Sequence, residues 1–399
     1  MSRVCNNIIT FLVCFSIFFS LFTPLKAFIS GGQAVTLLLP ILAIFFFDKM
    51  YLRRQIVLVL LIILAIVLLR MGGVEYFENG YIPDCLILLL GVLALEHYLI
   101  SKDDKYLKWV LITEYSTLFF LIITSIPQFV LLPNLTRMLN RAEDPSAMEL
   151  EYYWSISYAT VHNLPVLCIP FFAWFSVVNK IKLKITIILC IISILIVMIL
   201  ASSTTSLLLL VATYLFFMVY NKKMSIFQNA MRLLLVFLVL SPFLNKHITA
   251  SFLDTVIKPV FEGSNTSKKI DEIKYYILTG DTSGDMEARE DIYQTSIDAI
   301  LENPLFPEFN NEKIGHHSDL LDHCAAMGLF IFIPYLYFLF SRYRRPVKYI
   351  PNVKFYHFIS FCSFLVLAIL KNFFVFTSAL LIVPLFLIQL ENKYYKLHE

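Results

Sequence analysis

Long apolar blocks follow one another along almost the whole chain and constrain its fold more than any other feature. A hydrocarbon core about 30 Å thick is crossed by roughly 20 apolar residues in a helix. On that criterion we predict about twelve spans, at residues 8–25, 29–47, 56–71, 82–100, 107–131, 155–178, 183–201, 205–220, 230–244, 324–341, 355–370 and 373–391. The blocks are continuously apolar and do not alternate, which excludes a transmembrane barrel.

The composition agrees with a polytopic membrane protein. Of the 399 residues, 59% are hydrophobic and 15% are charged, whereas soluble proteins carry roughly 25% charged residues. The first block follows Arg3 and lacks a convincing cleavage site, so we expect a retained helix rather than a signal peptide. The predicted fold is therefore an all-α transmembrane helix bundle, built as a single integral membrane domain over residues 1–399.

Lysine and arginine concentrate in alternate linkers, which predicts the orientation in the membrane. The basic segments are 48–54, 102–108, 180–184, 222–232, 342–354 and the tail 393–396. If they are cytoplasmic, both termini are cytoplasmic and the interval 245–323 lies on the opposite side, the periplasm in a bacterial inner membrane. The net charge of +3 is then an orientation signal, and no nucleic-acid partner is expected.

The interval 245–323 is the one long polar stretch of the sequence, and we expect a helical loop subdomain there. Apolar spacing predicts a helix over Lys268–Leu278 and a second over Met286–Glu302, capped by Asp285 and ended by Asn303-Pro304. A further helix is predicted to begin at Ser318 and to continue into the tenth span.

Two short segments of this loop carry residues suited to an anionic ligand. Arg289 and Tyr293 fall one turn apart on a helix face, and Gly315 is followed by His316, His317, Ser318 and Asp319. Arginine binds phosphate in a bidentate manner, histidine exchanges protons near neutral pH, and a helix beginning at Ser318 would offer free N–H groups. The alternative is that Arg289 pairs with Glu290 or Asp285 and that the histidines cap the helix.

Three motifs succeed one another between residues 289 and 328. They are Arg289-x-x-Ile292-Tyr293 on a helix ending in Asn303-Pro304, then Gly315-His316-His317-Ser318-Asp319, then Ala326-Met327-Gly328 at the start of a span. This order resembles the O-antigen polymerase and ligase superfamily, which are polytopic bacterial enzymes with a large periplasmic loop. The resemblance implies a glycosyltransferase that acts on undecaprenyl pyrophosphate-linked oligosaccharide, with no cofactor, nucleotide sugar or metal. It matches Arg289 to the arginine that holds the pyrophosphate and His317, or else His316, to the essential histidine.

Within that superfamily the sequence favours a polymerase of O-antigen or a related surface polysaccharide. Ligases, which transfer glycan to lipid A-core, often carry an arginine where this chain has Ala201-Ser202-Ser203-Thr204-Thr205-Ser206-Leu207. A flippase for lipid-linked oligosaccharides is the alternative from another class, although it would need charged span interiors and no large loop. Membrane lipid and a chain-length regulator protein are further candidate partners.

Other candidate substrate-binding residues lie outside the loop motifs. Arg70, Arg137 and Lys371 are cations that the predicted topology places on the loop side, and each could instead be an interface residue. His162 lies inside a predicted span, where it either lines a substrate groove or bonds to a neighbouring helix. Asp322 and His323 fall in the first turn of the tenth span and are candidate supporting partners.

Overall fold

The structure is a computed structural model in which every regular element is helical. It describes residues 3–22, 32–48, 53–77, 81–131, 135, 155–201, 203–219, 228, 231–232, 235, 245–262, 265–281, 283–344, 351–371 and 382–398. No strand occurs among these residues, which confirms the predicted all-α class.

The helices are named here in chain order. They are α1 (Arg3–Leu21), α2 (Gly32–Asp48), α3 (Arg54–Met71), α4 (Tyr81–Ser101), α5 (Asp104–Leu131), α6 (Tyr158–Val177), α7 (Ile181–Leu200), α8 (Thr204–Val219), α9 (Lys246–Phe252), α10 (Asn265–Thr279), α11 (Asp285–Glu302), α12 (Asp319–Arg344), α13 (Pro351–Leu370) and α14 (Val383–His398). Short 3₁₀ turns occur at Glu75–Phe77, Lys258–Phe261 and Asn311–Lys313, and a π turn at Leu253–Ile257.

Among the described residues, six helices are long and apolar enough to cross a membrane, and the chain is a helical membrane protein. These six are α1, α3, α5, α6, α7 and the part of α12 up to Phe340. Shorter apolar helices, α2, α4, α8 and α13, accompany them. The predicted number of about twelve is not established by these helices. Most of the predicted span 230–244 lies outside the described residues, and 373–391 is described only from residue 382.

Helix α6 occupies the centre of the bundle. It packs against α7, α8, α13 and α14, and most of its apolar side chains are buried. Helix α1 packs on α2 and α5, whereas α12 packs on α3, α11 and α13. In contrast, α3 and α7 expose most of their apolar side chains, as helices at a lipid-facing perimeter do. We call the end of the bundle that carries α9–α11 the loop end.

The loop helices agree with the sequence prediction, with small differences in their bounds. The predicted helix over Lys268–Leu278 is α10, and the predicted helix over 286–302 is α11. The assignment of Asp285 as the N-cap was wrong, because α11 already includes it. The cap position belongs to Gly284, whose φ of 60° is a turn conformation that glycine adopts without strain. Ion pairs of Lys258 with Asp271 and of Lys274 with Asp254 hold α10 against the preceding turns.

Candidate functional site

The site is built on one face of α11. Arg289, Tyr293 and Ser296 are spaced at i, i+4 and i+7, so they lie on the same side of the helix, as the sequence predicted for Arg289 and Tyr293. Arg289 and Tyr293 are partly exposed, and Ser296 is fully buried against the start of α12. The face therefore runs from a solvent-accessible arginine to a buried hydroxyl.

Tyr293 joins three elements at the loop end. Its hydroxyl donates a hydrogen bond to the carbonyl oxygen of Leu370 at the end of α13, at 3.2 Å. Its ring centroid lies 6.2 Å from that of His317. Burial raises the pKa of the Tyr293 phenol above its ordinary value, while the neighbouring Arg289 acts in the opposite direction. The hydroxyl is therefore protonated at neutral pH and available as a donor.

The turn that carries the histidines is pressed onto α11 at Gly315. A Cβ atom built on this glycine would lie 2.0 Å from the carbonyl oxygen of Ile292, so only glycine fits. Its N–H donates to the Ser296 hydroxyl oxygen at 2.8 Å. The backbone contact explains why a glycine precedes His316 and His317 in the sequence.

Asp322, in the first turn of α12, holds the same turn in place through its carboxylate. Its two carboxylate oxygens accept hydrogen bonds from the Ser296 hydroxyl (2.6 Å) and from the backbone N–H of Ser318 (3.0 Å). The backbone of His317 also hydrogen-bonds to this carboxylate. Asp322 is almost completely buried, and buried polar groups need hydrogen-bond partners. These hydrogen bonds show how Asp322 supports the turn that carries the histidines, as the sequence suggested.

His316 is held by the linker between α3 and α4, a contribution that the sequence analysis missed. Its ring stacks on Tyr76 with centroids 5.4 Å apart, and Nε2–H donates to the carbonyl oxygen of Asn311 at 3.3 Å. Glu75 accepts a hydrogen bond from the N–H of Asn311 at 3.2 Å. His316 has a φ of 57°, which is uncommon for a residue other than glycine and occurs more often at functional sites. No local pattern signals a pairing between residues so far apart in sequence.

The expectation that α12 offers free N–H groups to phosphate was wrong for its first donors. The N–H of Ser318 is bound by Asp322, that of Asp319 by the carbonyl oxygen of Lys371, and that of Leu321 by the Ser318 hydroxyl. Ser318 and Asp319 are themselves buried. The hydroxyl of Ser318 caps the helix, so the histidines do not, and the backbone bonds of Ser318 and Asp319 hold the turn in place.

The end of α13 also borders the site, next to α11 and the turn that carries the histidines. The last carbonyl groups of a helix lack partners within it, and here the loop supplies them. Ser318 Oγ donates to Ala368 at 3.5 Å and the Asp319 N–H to Lys371 at 3.2 Å, in addition to the bond from Tyr293. These contacts bring Lys371, which is buried, next to the turn that carries His317.

The other predicted ligand residues lie elsewhere. His162 is buried between α6 and α8, where Nδ1 is 2.7 Å from the Ser206 hydroxyl and 3.1 Å from that of Ser203. Of its two predicted roles, the bond to a neighbouring helix is the one observed. Arg70 is exposed in the last turn of α3, at the loop end. Arg137 lies outside the described residues.

Together these residues can bind an anion and exchange a proton. Arg289 makes no ion pair with any described side chain, and so it does not pair with Glu290; the side chain of Asp285 lies outside this description. An arginine that no described carboxylate pairs with can bind an external phosphate. Tyr293 lies one turn along α11 from Arg289, and its ring centroid lies 6.2 Å from that of His317, the group that could exchange the proton.

Comparison with known proteins does not assign the chain to a family. No model of a known protein family matches it, and a search of curated proteins also finds no match.

Proposed function

We propose that the protein is a polymerase of O-antigen or a related surface polysaccharide. In this reaction the growing glycan passes from undecaprenyl pyrophosphate to a new lipid-linked repeat unit. The observation that carries the proposal is that Arg289 and Tyr293 share one face of α11, while Tyr293 lies beside the His317 ring and bonds to the end of α13, at one end of an apolar helix bundle. A lipid-linked substrate needs such a place, because its tail stays in the bilayer while its pyrophosphate and sugars lie at the edge.

The proposed roles follow from the balance of the reaction. A hydroxyl of the acceptor sugar attacks the anomeric carbon of the donor, the bond from that carbon to the phosphate oxygen breaks, and lipid pyrophosphate leaves. Arg289 stabilises the charge that develops on the leaving group, which is an electrostatic effect strengthened in a partly dry site. His317, or His316, takes the acceptor proton. Lys371 adds positive charge on the α13 side.

We assign supporting parts to Ser318, Asp319 and Tyr293 in this proposal. Their hydrogen bonds hold the histidine turn and α11 on the end of α13, so they position the catalytic groups relative to the bundle. Arg70 and Arg137 are proposed as further phosphate contacts on the loop side. His162 is proposed to stabilise the α6–α8 contact beneath the site.

The hydrogen-bonded network of His162 with two serines favours a polymerase over a ligase. At the place where ligases often carry an arginine, this chain has Ser203 and Ser206, and both hydroxyls lie within hydrogen-bonding distance of His162 and of each other. Any second cation for the pyrophosphate must therefore come from another element, such as Lys371. The proposed location is the bacterial inner membrane, with cytoplasmic termini, the loop in the periplasm and a chain-length regulator as a protein partner.

The test uses purified full-length protein with a lipid-linked repeat unit. A ladder of glycan lengths is expected from the wild type, and no ladder from His317→Ala. Lys313→Ala is the matched control, since Lys313 lies in the same loop but pairs with Glu302 at 2.7 Å. Single transfer to lipid A-core would indicate a ligase instead. Transport of the lipid-linked unit in vesicles without a covalent product would indicate a flippase, and either result would overturn the proposal.

A further inference from the structure

Helix α12 is interrupted at Gly328, inside its membrane-spanning part. Gly328 has φ 64° and ψ 158°, which no helical residue adopts. In a continuous helix the N–H of Leu329 would bond to the carbonyl of Ala325. Here the N–H of Leu329 donates to Pro304 O, and Ala325 O accepts from the N–H of Glu308, both at 2.9 Å. The segment Pro304–Glu308 therefore runs antiparallel to this turn of the span and satisfies its backbone groups.

The contact between the segment and the span is one of backbone with backbone. A Cβ atom on Gly328 would lie 2.5 Å from the carbonyl oxygen of Leu305 and 2.6 Å from the carbonyl carbon of Phe306. Non-helical backbone at membrane depth is tolerated only where protein covers it. The cover is this segment, so residues 304–308 belong to the membrane-spanning unit although they lie within the polar interval of the sequence.

Four large apolar side chains on and beside this segment face away from the protein. Leu301 is 72% exposed, Leu305 58%, Phe306 71% and Phe309 51%; we call them the anchor patch. The side chain of Phe330, two residues beyond Gly328 on the span, is 81% exposed. Phe330 lies in a helix that is long and apolar enough to cross a membrane, and an exposed phenylalanine on such a helix is expected to face lipid. The anchor patch continues that lipid-facing surface towards the loop.

Polar residues follow the anchor patch directly and mark the side of the patch that we expect to face water. Directly after Phe309 the chain reads Asn310-Asn311-Glu312-Lys313. The carbonyl of Phe309 accepts a hydrogen bond from the N–H of Glu75, just beyond the end of α3. Apolar and aromatic side chains below a band of polar groups are typical of the boundary between hydrocarbon and water.

We propose that the anchor patch inserts into the bilayer at the boundary between headgroups and acyl chains. Its occupant is membrane lipid, and the segment Pro304–Phe309 ties α11 to the membrane surface. Continuity with the lipid-facing Phe330 is the reason for choosing lipid over a protein partner. This inference is independent of glycosyl transfer, and it places residues 304–309 at the membrane boundary within the polar interval 245–323.

The test measures quenching of tryptophan fluorescence by brominated lipids. Phe306→Trp is made in the full chain with Trp109, Trp154 and Trp174 replaced by Phe, and reconstituted in bilayers with bromine placed shallow or deep in the acyl chain. Phe330→Trp is the lipid-facing reference. Gln294→Trp, at an exposed position on the polar surface of α11, is the reference for water. Phe309→Trp is a second reporter. All variants are also made with the native tryptophans present, and the quenching of the protein without the added tryptophan is then subtracted.

Phe306→Trp is expected to lose emission as Phe330→Trp does, and more with shallow than with deep bromine. Gln294→Trp is expected to lose little. Quenching of both Phe306→Trp and Phe309→Trp no greater than that of Gln294→Trp would overturn the proposal. So would protection of both positions from lipid by a second copy or a protein partner, detected as cross-linking at Phe306.

Discussion

Arg53 and Arg289 lie at opposite ends of the bundle and have different surroundings. Arg53 is 3.5 Å from the buried carboxylate of Glu96, and beside this pair His97 donates a hydrogen bond to Asp48. Arg289 lies one turn from Tyr293, whose ring centroid is 6.2 Å from that of His317, and it makes no ion pair with a described side chain. A buried charge stabilises a fold only when it is paired, whereas an arginine at a partly exposed position can bind an external anion. We therefore predict that the cluster around Arg53 is structural and propose that the loop cluster is functional, and the predictions below test that division.

The largest expected effect is on stability, from His97→Ala. It leaves the Asp48 carboxylate, whose side chain is 6% exposed, without its donor, and breaking a buried pair costs about 3–5 kcal/mol. Thermal denaturation in detergent should show a clear loss, partly restored when Asp48→Asn is added. Transfer activity per folded molecule should be unchanged. A drop in that activity at equal stability would place His97 in the functional group and break the division.

Arg289→Ala should lower the transfer rate and leave the stability almost unchanged. Removing one group that stabilises the developing charge costs about 10²–10³-fold in rate, and no buried carboxylate is left unpaired. The transfer rate with a lipid-linked repeat unit should fall by that factor, while the melting temperature stays within about one degree, as surface changes do. Arg289→Lys should keep part of the rate, because it retains the charge but not the bidentate geometry. Unchanged rates in both variants would remove Arg289 from the site.

Asp322→Ala tests whether the histidine turn depends on its buried carboxylate. Each buried donor left without an acceptor costs about 1–3 kcal/mol, and the donors here are Ser296 Oγ and the Ser318 N–H. Both stability and transfer rate should fall. Asp322→Asn, which keeps the shape and one acceptor, should recover the melting temperature more than the rate. If instead the rate of Asp322→Ala per folded molecule equals that of the wild type, the turn does not need this support.

The smallest effect is expected from Tyr293→Phe. It removes one exposed hydrogen bond to Leu370 O, worth about 0.5–1.5 kcal/mol. Because the pKa of the phenol is raised above 10.0 in the folded protein, its contribution is fully present below that value. It is lost as the pH rises through the raised pKa. Denaturation of the two proteins should therefore differ at neutral pH and converge at strongly alkaline pH; a difference that persists there would refute the assignment.

Much of the helical framework and the loop helices could be predicted from local pattern. These signals involve only neighbouring residues, so the sequence alone shows them. They are the apolar blocks of span length, the spacing of Ile270, Ile273 and Ile277, and the helix end at Asn303-Pro304. The same holds for Arg289 and Tyr293, because helical spacing alone places them on one face. Ser318 was likewise recognisable as a helix start from its residue type.

Several features of the site depend on residues that are remote in sequence. The contact of Tyr76 with His316 and the bond from Asn311 to Glu75 join chain segments more than two hundred residues apart, and no periodicity encodes them. The N–H groups of Ser318 and Asp319 looked available because their partners, Asp322 and Lys371 O, were invisible in the linear pattern. His162 was equally ambiguous until Ser203 and Ser206 were brought beside it.

The amino-acid sequence alone thus determined a membrane-embedded, all-helical chain with charged and imidazole groups collected in one polar interval. Burial of apolar surface and the hydrogen-bonding needs of the backbone in lipid are sufficient to dictate that much. Packing in three dimensions decided which of those groups form hydrogen bonds within the fold. It left Arg289 and Tyr293 on one face of α11 with Tyr293 beside His317, bound Ser318 and Asp319 to the end of α13, and laid residues 304–308 on the interrupted turn at Gly328. These outcomes depend on long-range partners for backbone and side-chain polar groups, and such partners are set only when the helices assemble.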